Sequence, residues 1–295
     1  MSVTSDMLRK MFHEVDEKRD AGLVTPQDII RYDDIVYGEN RDWQVLDVYR
    51  PKNVSGVLPV IVSVHGGGWV YGDKERYQFY CMSLAQRGFA VVNYTYRLAP
   101  EYKFPASLED TNLVFHWVLS NAKQYEFDTD YIFAVGDSAG AHILGLYTAI
   151  CTNSAYAAKY DFCTPKGFVP KALALNCGAY EIKFNENSDD LTQSLMADYL
   201  PEKGSLKELE MINVINHVTK DFPPTFLMTS NRDFLKEQPP VMIQKLMEVD
   251  VPFVFRFYGD KEHELAHVFH LNLRSKEGQF CNDEECEFFR KFVLK

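Results

Sequence analysis

The sequence predicts an α/β fold in which a mostly parallel central sheet is flanked by helices and carries a small helical cap. Three observations predict it. Tyr131-Ile132-Phe133-Ala134-Val135 is an apolar strand that runs into the turn Gly136-Asp137-Ser138-Ala139-Gly140 and at once into a helix-forming stretch, Ala141 to Cys151. Pro59 to Val64 is a second apolar, β-branched run, and it empties into His65-Gly66-Gly67-Gly68-Trp69. Strand and helix patterns then alternate without a low-complexity linker, as expected of one α/β domain.

The elements follow in order. Residues 1–38 read as one or two helices, with Met7, Leu8, Met11 and Phe12 on one side. The strand at 59–64 comes next, then an amphipathic helix from about Pro105 to Lys123 that holds His116 as a core or boundary residue. After the strand and helix around Ser138, Lys171 to Cys177 reads as a strand. Leu191 to Leu200 and Leu206 to Val218 have helical spacing and are parted by Pro201 and Gly204. Pro224 to Ser230 is a strand, Glu237 to Val249 a helix with its prolines in the first turn, and Val251 to Tyr258 a strand. The C-terminal helix turns Phe288, Phe289, Phe292 and Val293 inward and Asp283-Glu284-Glu285 to solvent. Residues 1–38 and 181–222 lie outside the sheet pattern and are expected to cap a single catalytic domain spanning 1–295.

The chemistry sits in the turns. A strand that reverses straight into a helix strains its turn residue, so small neighbours are required, and Gly136 and Gly140 supply them. Ser138 is thereby lifted above the sheet edge at a helix N-terminus, where free N–H groups favour developing negative charge. A serine in that place can also be a simple helix cap. The second motif favours a nucleophile. Three consecutive glycines cost backbone entropy, and an oxyanion hole explains them, because backbone N–H groups reach a substrate oxygen only where no side chain intervenes.

His65-Gly66-Gly67-Gly68, Tyr96-Arg97-Leu98-Ala99-Pro100-Glu101 and Gly136-Asp137-Ser138-Ala139-Gly140, in this order, resemble the hormone-sensitive-lipase-like branch of the α/β-hydrolase esterases. The resemblance runs from about Gln44 to the C-terminus. It implies a serine esterase for short or medium acyl esters, a Ser-Asp-His triad in that chain order, no cofactor, and the two cap regions packed together as a lid. It also suggests that His65 orients the glycine loop through a hydrogen bond.

Acid and base must stand on loops at the carboxyl ends of later strands. The strand at 224–230 ends in Asn231-Arg232-Asp233, which makes Asp233 the expected acid; Asp221 precedes its strand and belongs to the opposite end. The strand at 251–258 leads to His263 and His267. His267, in His267-Val268-Phe269, resembles the family's base, whereas His263 lies in a charged, solvated loop. Where the family more often has Asp-Pro-Leu, this chain has Asp233-Phe234-Leu235, and Ala141 stands for a second glycine. The expected oxyanion hole is Gly66, Gly67, Gly68 and Ala139, with Gly66 shaping the turn and the other three donating. Trp69, Tyr71 and Tyr180 are expected to bind substrate, with Leu195, Met196 and Tyr199 completing a bulky rim on the acyl side.

Composition sets the boundaries. The 295 residues are 46% hydrophobic and 14% aromatic, enough for a sizeable core and an apolar pocket. A formal charge of −11 disfavours nucleic acid and polyanionic substrates, and leaves neutral esters open. The six cysteines show no C-x-x-C pair and read as free thiols, no histidine pair has metal-ligand spacing, and residues 1–20 lack the apolar core of a signal peptide. No metal, no membrane span and a cytoplasmic location are expected, with a homo-oligomer left open. Two other functions stay open at this point: a serine peptidase or amidase on the same fold, and a catalytically inactive, ligand-binding homologue.

Overall fold

The computed structural model describes residues 2–184 and 190–293; within the expected cap spans, Met1 and residues 185–189 lie outside the described residues. The described residues form an eight-stranded sheet with the order β1-β2-β4-β3-β5-β6-β7-β8. The strands are β1 (Ile29–Val36), β2 (Val45–Pro51), β3 (Leu58–Val64), β4 (Ala90–Tyr94), β5 (Phe127–Asp137), β6 (Leu173–Asn176), β7 (Thr225–Ser230) and β8 (Phe253–Tyr258). From β4 to β8 the sheet is parallel, and β2 runs antiparallel to both its neighbours.

Helices α1 (Val3–Asp20), α2 (Lys74–Gln86), α3 (Ala106–Ser120), α4 (Ala122–Tyr125), α5 (Ala139–Thr152), α6 (Ser154–Ala157), α7 (Asp190–Tyr199), α8 (Leu206–Ile212), α9 (Gln238–Glu248) and α10 (Lys276–Arg290) complete the fold. Alternation along the strands explains why helices must cover both faces. Val60, Val62 and Val64 of β3, with Ile132 and Ala134 of β5, belong to a core shared with α3, α5 and α9. Ile61, Phe133 and Val135 point the other way, into a core shared with α2 and α10.

Two expectations about the chain's ends are corrected. Residues 29–36 are a strand of the sheet, so α1 is the only helix of the N-terminal span among its described residues. The strand was hidden by a register shift between Tyr32 and Ile35, where Asp34 takes a positive φ of 55° and Asp33-Asp34 break the two-residue alternation. Glu285 does not face solvent: it is fully buried, accepts hydrogen bonds from Tyr80 Oη (2.9 Å) and Asn176 Nδ2 (2.5 Å), and burial pushes its carboxyl up to about 7 despite those donors. Strands β2 and β4 were not assigned from sequence, and both lie in the sheet as almost wholly buried runs.

The register places the chemistry. Val64 pairs with Gly136, Asp137 with Asn176, and Asn176 with Met228, so the carboxyl ends of β3, β5, β6 and β7 end side by side. Loops leaving those ends therefore converge. Over them lie α1 and α7, joined by a Ser5 Oγ to Asp198 Oδ2 bond of 2.5 Å. Helix α1 is further anchored where Arg9 donates to Val70 O, to Ala99 O and, twice, to the Glu101 carboxylate.

Candidate active site

Ser138 sits at the β5–α5 turn with φ 52° and ψ −118°, a backbone conformation that costs on the order of 1–3 kcal/mol for a residue with a side chain. Close packing holds it there. A Cβ at Gly140 would meet Val64 O at 2.1 Å and His65 O at 2.6 Å, so the first turn of α5 lies directly against the end of β3 and the start of the glycine loop. The Ser138 N–H donates to Asn176 O at 2.9 Å, which ties the turn to β6.

Three side chains from three loops meet here. Ser138 Oγ is 2.9 Å from His267 Nε2, and His267 Nδ1 is 2.6 Å from Asp233 Oδ1. Since a carboxylate only accepts, Nδ1 carries the proton and Nε2 is left to receive one from the serine. Asp233 is buried and also accepts from Thr229 Oγ1 (2.7 Å) and the Leu235 N–H (2.8 Å). Burial alone would raise its carboxyl, but the His267 hydrogen bond and charge, with the Thr229 and Leu235 donors, outweigh it and hold the group below its ordinary value. His263 is exposed and bound to Asp260 in its own loop, and Asp221 is exposed ahead of β7.

Gly66, Gly67, Gly68, Ser138 and Ala139 line one cavity of about 700 Å³, a size ordinary for a small-molecule site. The N–H groups of Gly67, Gly68 and Ala139 have no protein acceptor among the described residues. Gly66, grouped with the oxyanion hole for shaping its turn and not for donating, has its N–H engaged. Its N–H donates to Tyr77 Oη at 2.9 Å, so it cannot also hold a substrate oxygen. His65 Nδ1 donates to Gly66 O at 2.8 Å, as the resemblance suggested, and burial pushes the imidazole down to about 4, keeping it neutral.

The expected substrate-binding aromatics separate. Trp69 and Tyr71 line the cavity, but Tyr180 does not; it is fully buried and its hydroxyl donates to Leu175 O at 3.1 Å, while neighbouring Ala179, Glu181 and Ile182 face the cavity. Leu195 and Met196 line it too. Tyr199 lies behind Trp69, its ring stacked on the indole at 5.0 Å between centroids. His142, one turn along α5, is fully buried and packs inward. Its Nδ1 accepts the Trp69 Nε1–H at 3.1 Å and its Nε2 donates to Ile212 O at 2.8 Å, so one buried neutral ring fixes a cavity wall to α8. His142→Leu is expected to leave both partners unsatisfied and to lower unfolding free energy by about 1–3 kcal/mol in urea titration. His116, in contrast, lies exposed beside Cys163 O.

Sequence reasoning did not pick out Leu8, Phe12, Asp16, Arg19 or Phe234 as site residues, yet all line the cavity. Phe234, replacing the family's usual proline, is 73% exposed and lays its ring 4.2 Å from that of His267; its place next to Asp233 was the available signal. Asp16 accepts from Arg19 (2.8 Å) and from Tyr71 Oη (3.0 Å), a fixed polar edge contributed by α1. One group of potential metal donors occurs among the described residues: Cys177, Asp233 and His267, with ligand atoms within 4.8 Å of one another. Two of its members are already engaged: Asp233 accepts from His267, Thr229 and Leu235, and His267 Nε2 lies 2.9 Å from Ser138 Oγ.

Fold and constellation together define an α/β-hydrolase of the esterase branch. The chain belongs to the BD-FAE family, whose model matches residues 46–239. It is 28% identical over 229 residues to the versiconal hemiacetal acetate esterase of Dothistroma septosporum, covering 73% of this chain and 69% of that protein. Against esterase LipC of Mycobacterium tuberculosis it is 25% identical, covering 73% of this chain and 55% of the relative. The chain spans about half to two thirds of the length of the first such relatives. In shape it matches inhibited esterase B from Lactobacillus rhamnosis, with a TM-score of 0.89 over 99% of this chain and 97% of that one; at 24% identity this is a likeness of fold. No helix among the described residues is long and apolar enough to cross a membrane.

Proposed function

We propose that the protein is a serine carboxylesterase that hydrolyses short-chain acyl esters, acetyl to butyryl, through an acyl-enzyme. The reading rests on one observation above all, the continuous hydrogen-bonded series Ser138 Oγ, His267, Asp233 at 2.9 and 2.6 Å, beside three N–H groups with no acceptor among the described residues. His267 Nε2 takes the Ser138 proton as Oγ attacks the ester carbonyl. Gly67, Gly68 and Ala139 hold the oxyanion, each such donor being worth about 100- to 1000-fold in rate. The imidazolium, stabilised by Asp233, then protonates the leaving alkoxide, and in the second half-reaction His267 removes a proton from water to free the acid. The catalytic unit is a single domain capped by α1 and the segment that carries α7 and α8.

Short chains are favoured by what stands over the oxyanion loop. A Cβ at Gly68 would lie 3.7 Å from Leu195 and 3.9 Å from Phe12, so the cap closes on that side, and Trp69 is pinned by His142 and Tyr199. Each methylene that fits is worth about 0.8 kcal/mol, whereas one that meets a fixed wall costs about 1–3 kcal/mol. The acetate ester in the name of the fungal relative agrees. With p-nitrophenyl esters, kcat/KM is expected to peak between acetyl and butyryl and to fall by roughly eight carbons, where the overpacking penalty overtakes burial. Values that keep rising through long acyl chains would overturn the short-chain reading. Covalent labelling by a fluorophosphonate tests the serine mechanism, and rates on an ester and its matching amide separate an esterase from an amidase.

A further inference from the structure

The Gly66 peptide is held at both ends. Its carbonyl accepts from His65 Nδ1, and its N–H donates to Tyr77 Oη. The Tyr77 hydroxyl in turn donates to Asp137 Oδ2 at 2.7 Å. Tyr77 belongs to α2, Asp137 immediately precedes Ser138 at the end of β5, and Gly66 opens the glycine loop, so one buried hydroxyl links three separate elements. A carboxylate only accepts and an amide N–H only donates; a hydroxyl can serve both at once, which a phenyl ring of the same shape cannot. The fit is close. A Cβ at Gly66 would meet Asp137 O and Oδ2 at 2.9 Å and Tyr77 Oη at 3.0 Å, so the link closes only because residue 66 has no side chain.

We propose that Tyr77 is a positioning residue for ester hydrolysis: its hydroxyl ties the glycine loop to the strand that carries the nucleophile, keeping the Gly67 and Gly68 N–H groups aimed at the oxyanion. The inference rests on the serine-esterase reading for its effect on rate, and on the Tyr77 bonds alone for its effect on the loop. Oxyanion stabilisation acts in the transition state, so loosening the loop lowers kcat and leaves ground-state binding nearly untouched.

The test compares Tyr77→Phe with Asp137→Asn at pH 8, above the value of about 6 to which burial pushes the Asp137 carboxyl. Tyr77→Phe is expected to lower kcat on p-nitrophenyl butyrate by about 10- to 100-fold with KM within about twofold, the signature of a lost transition-state contact. Asp137→Asn keeps an acceptor oxygen for the Tyr77 hydroxyl and is expected to lose less than about fivefold. Hydrogen–deuterium exchange of the peptide spanning residues 64–71 is expected to speed up in Tyr77→Phe and to stay near wild type in Asp137→Asn. Wild-type kcat and wild-type exchange in Tyr77→Phe would overturn the proposal, as would a loss of rate carried by KM. Should the wild-type protein neither hydrolyse esters nor take a fluorophosphonate label, the serine-esterase reading fails on its own, and the exchange comparison still decides whether Tyr77 holds the loop.

Discussion

Ser138→Ala is expected to lower ester hydrolysis by about 10⁵- to 10⁶-fold while leaving the fold intact. The change removes the one oxygen that lies 2.9 Å from His267 Nε2, and with it the covalent route. It adds no volume to a turn where Gly140 already abuts Val64 O and His65 O, and an alanine bears the positive φ of residue 138 no worse than a serine does. Ser138 makes no side-chain cap to α5, so the helix loses no hydrogen bond. Circular dichroism should show wild-type secondary structure and a melting midpoint within a few degrees. Wild-type turnover in this variant, or phosphonate labelling of another serine, would remove Ser138 from the mechanism.

His267→Ala is expected to fall to the same residual rate, and Ser138→Ala/His267→Ala to be no slower than either single variant, since groups that act as one unit do not lose additively. Removing the imidazole leaves the serine without a proton acceptor and the Asp233 carboxylate without its strongest donor. Some loss of stability should accompany it, because Asp233 is buried and loses one of the donors, beside Thr229 and Leu235, that offset its burial. His263→Ala should be mild, within about threefold of wild type, because an exposed ring paired with Asp260 contributes little. Steady-state rates on p-nitrophenyl acetate decide the matter: if the two histidine variants exchange their behaviour, the base is His263.

Much of this was legible from short stretches of chain. The turn around Ser138 declares itself because strand, glycines and helix are contiguous, and His65 to Trp69 does so for the same reason. Chain order narrows the acid to Asp233 and the base to His263 or His267, since strands of a parallel sheet deliver their loops to one end, and the resemblance to the family singles out His267. The two partners of His142 leave no such local signal: Trp69 lies 73 residues away in the chain, and Ile212 lies 70 away.

The residues by themselves determined the layered α/β class, the strands that carry the motif loops, β3 and β5 to β8, and which side chains could react, because each depends on periodicity or on neighbours within a few positions. Tertiary structure decided which groups are already occupied. What occupies the Gly66 N–H is Tyr77, eleven residues on, a partner the glycine run itself does not reveal. Tyr180 is a cavity residue by position and a core residue by packing, and Glu285 is a surface acid by composition but is buried between Tyr80 and Asn176. A hydrogen bond between distant residues costs nothing in local pattern and so leaves no local trace. Burial, likewise, is set by what the rest of the chain lays on top.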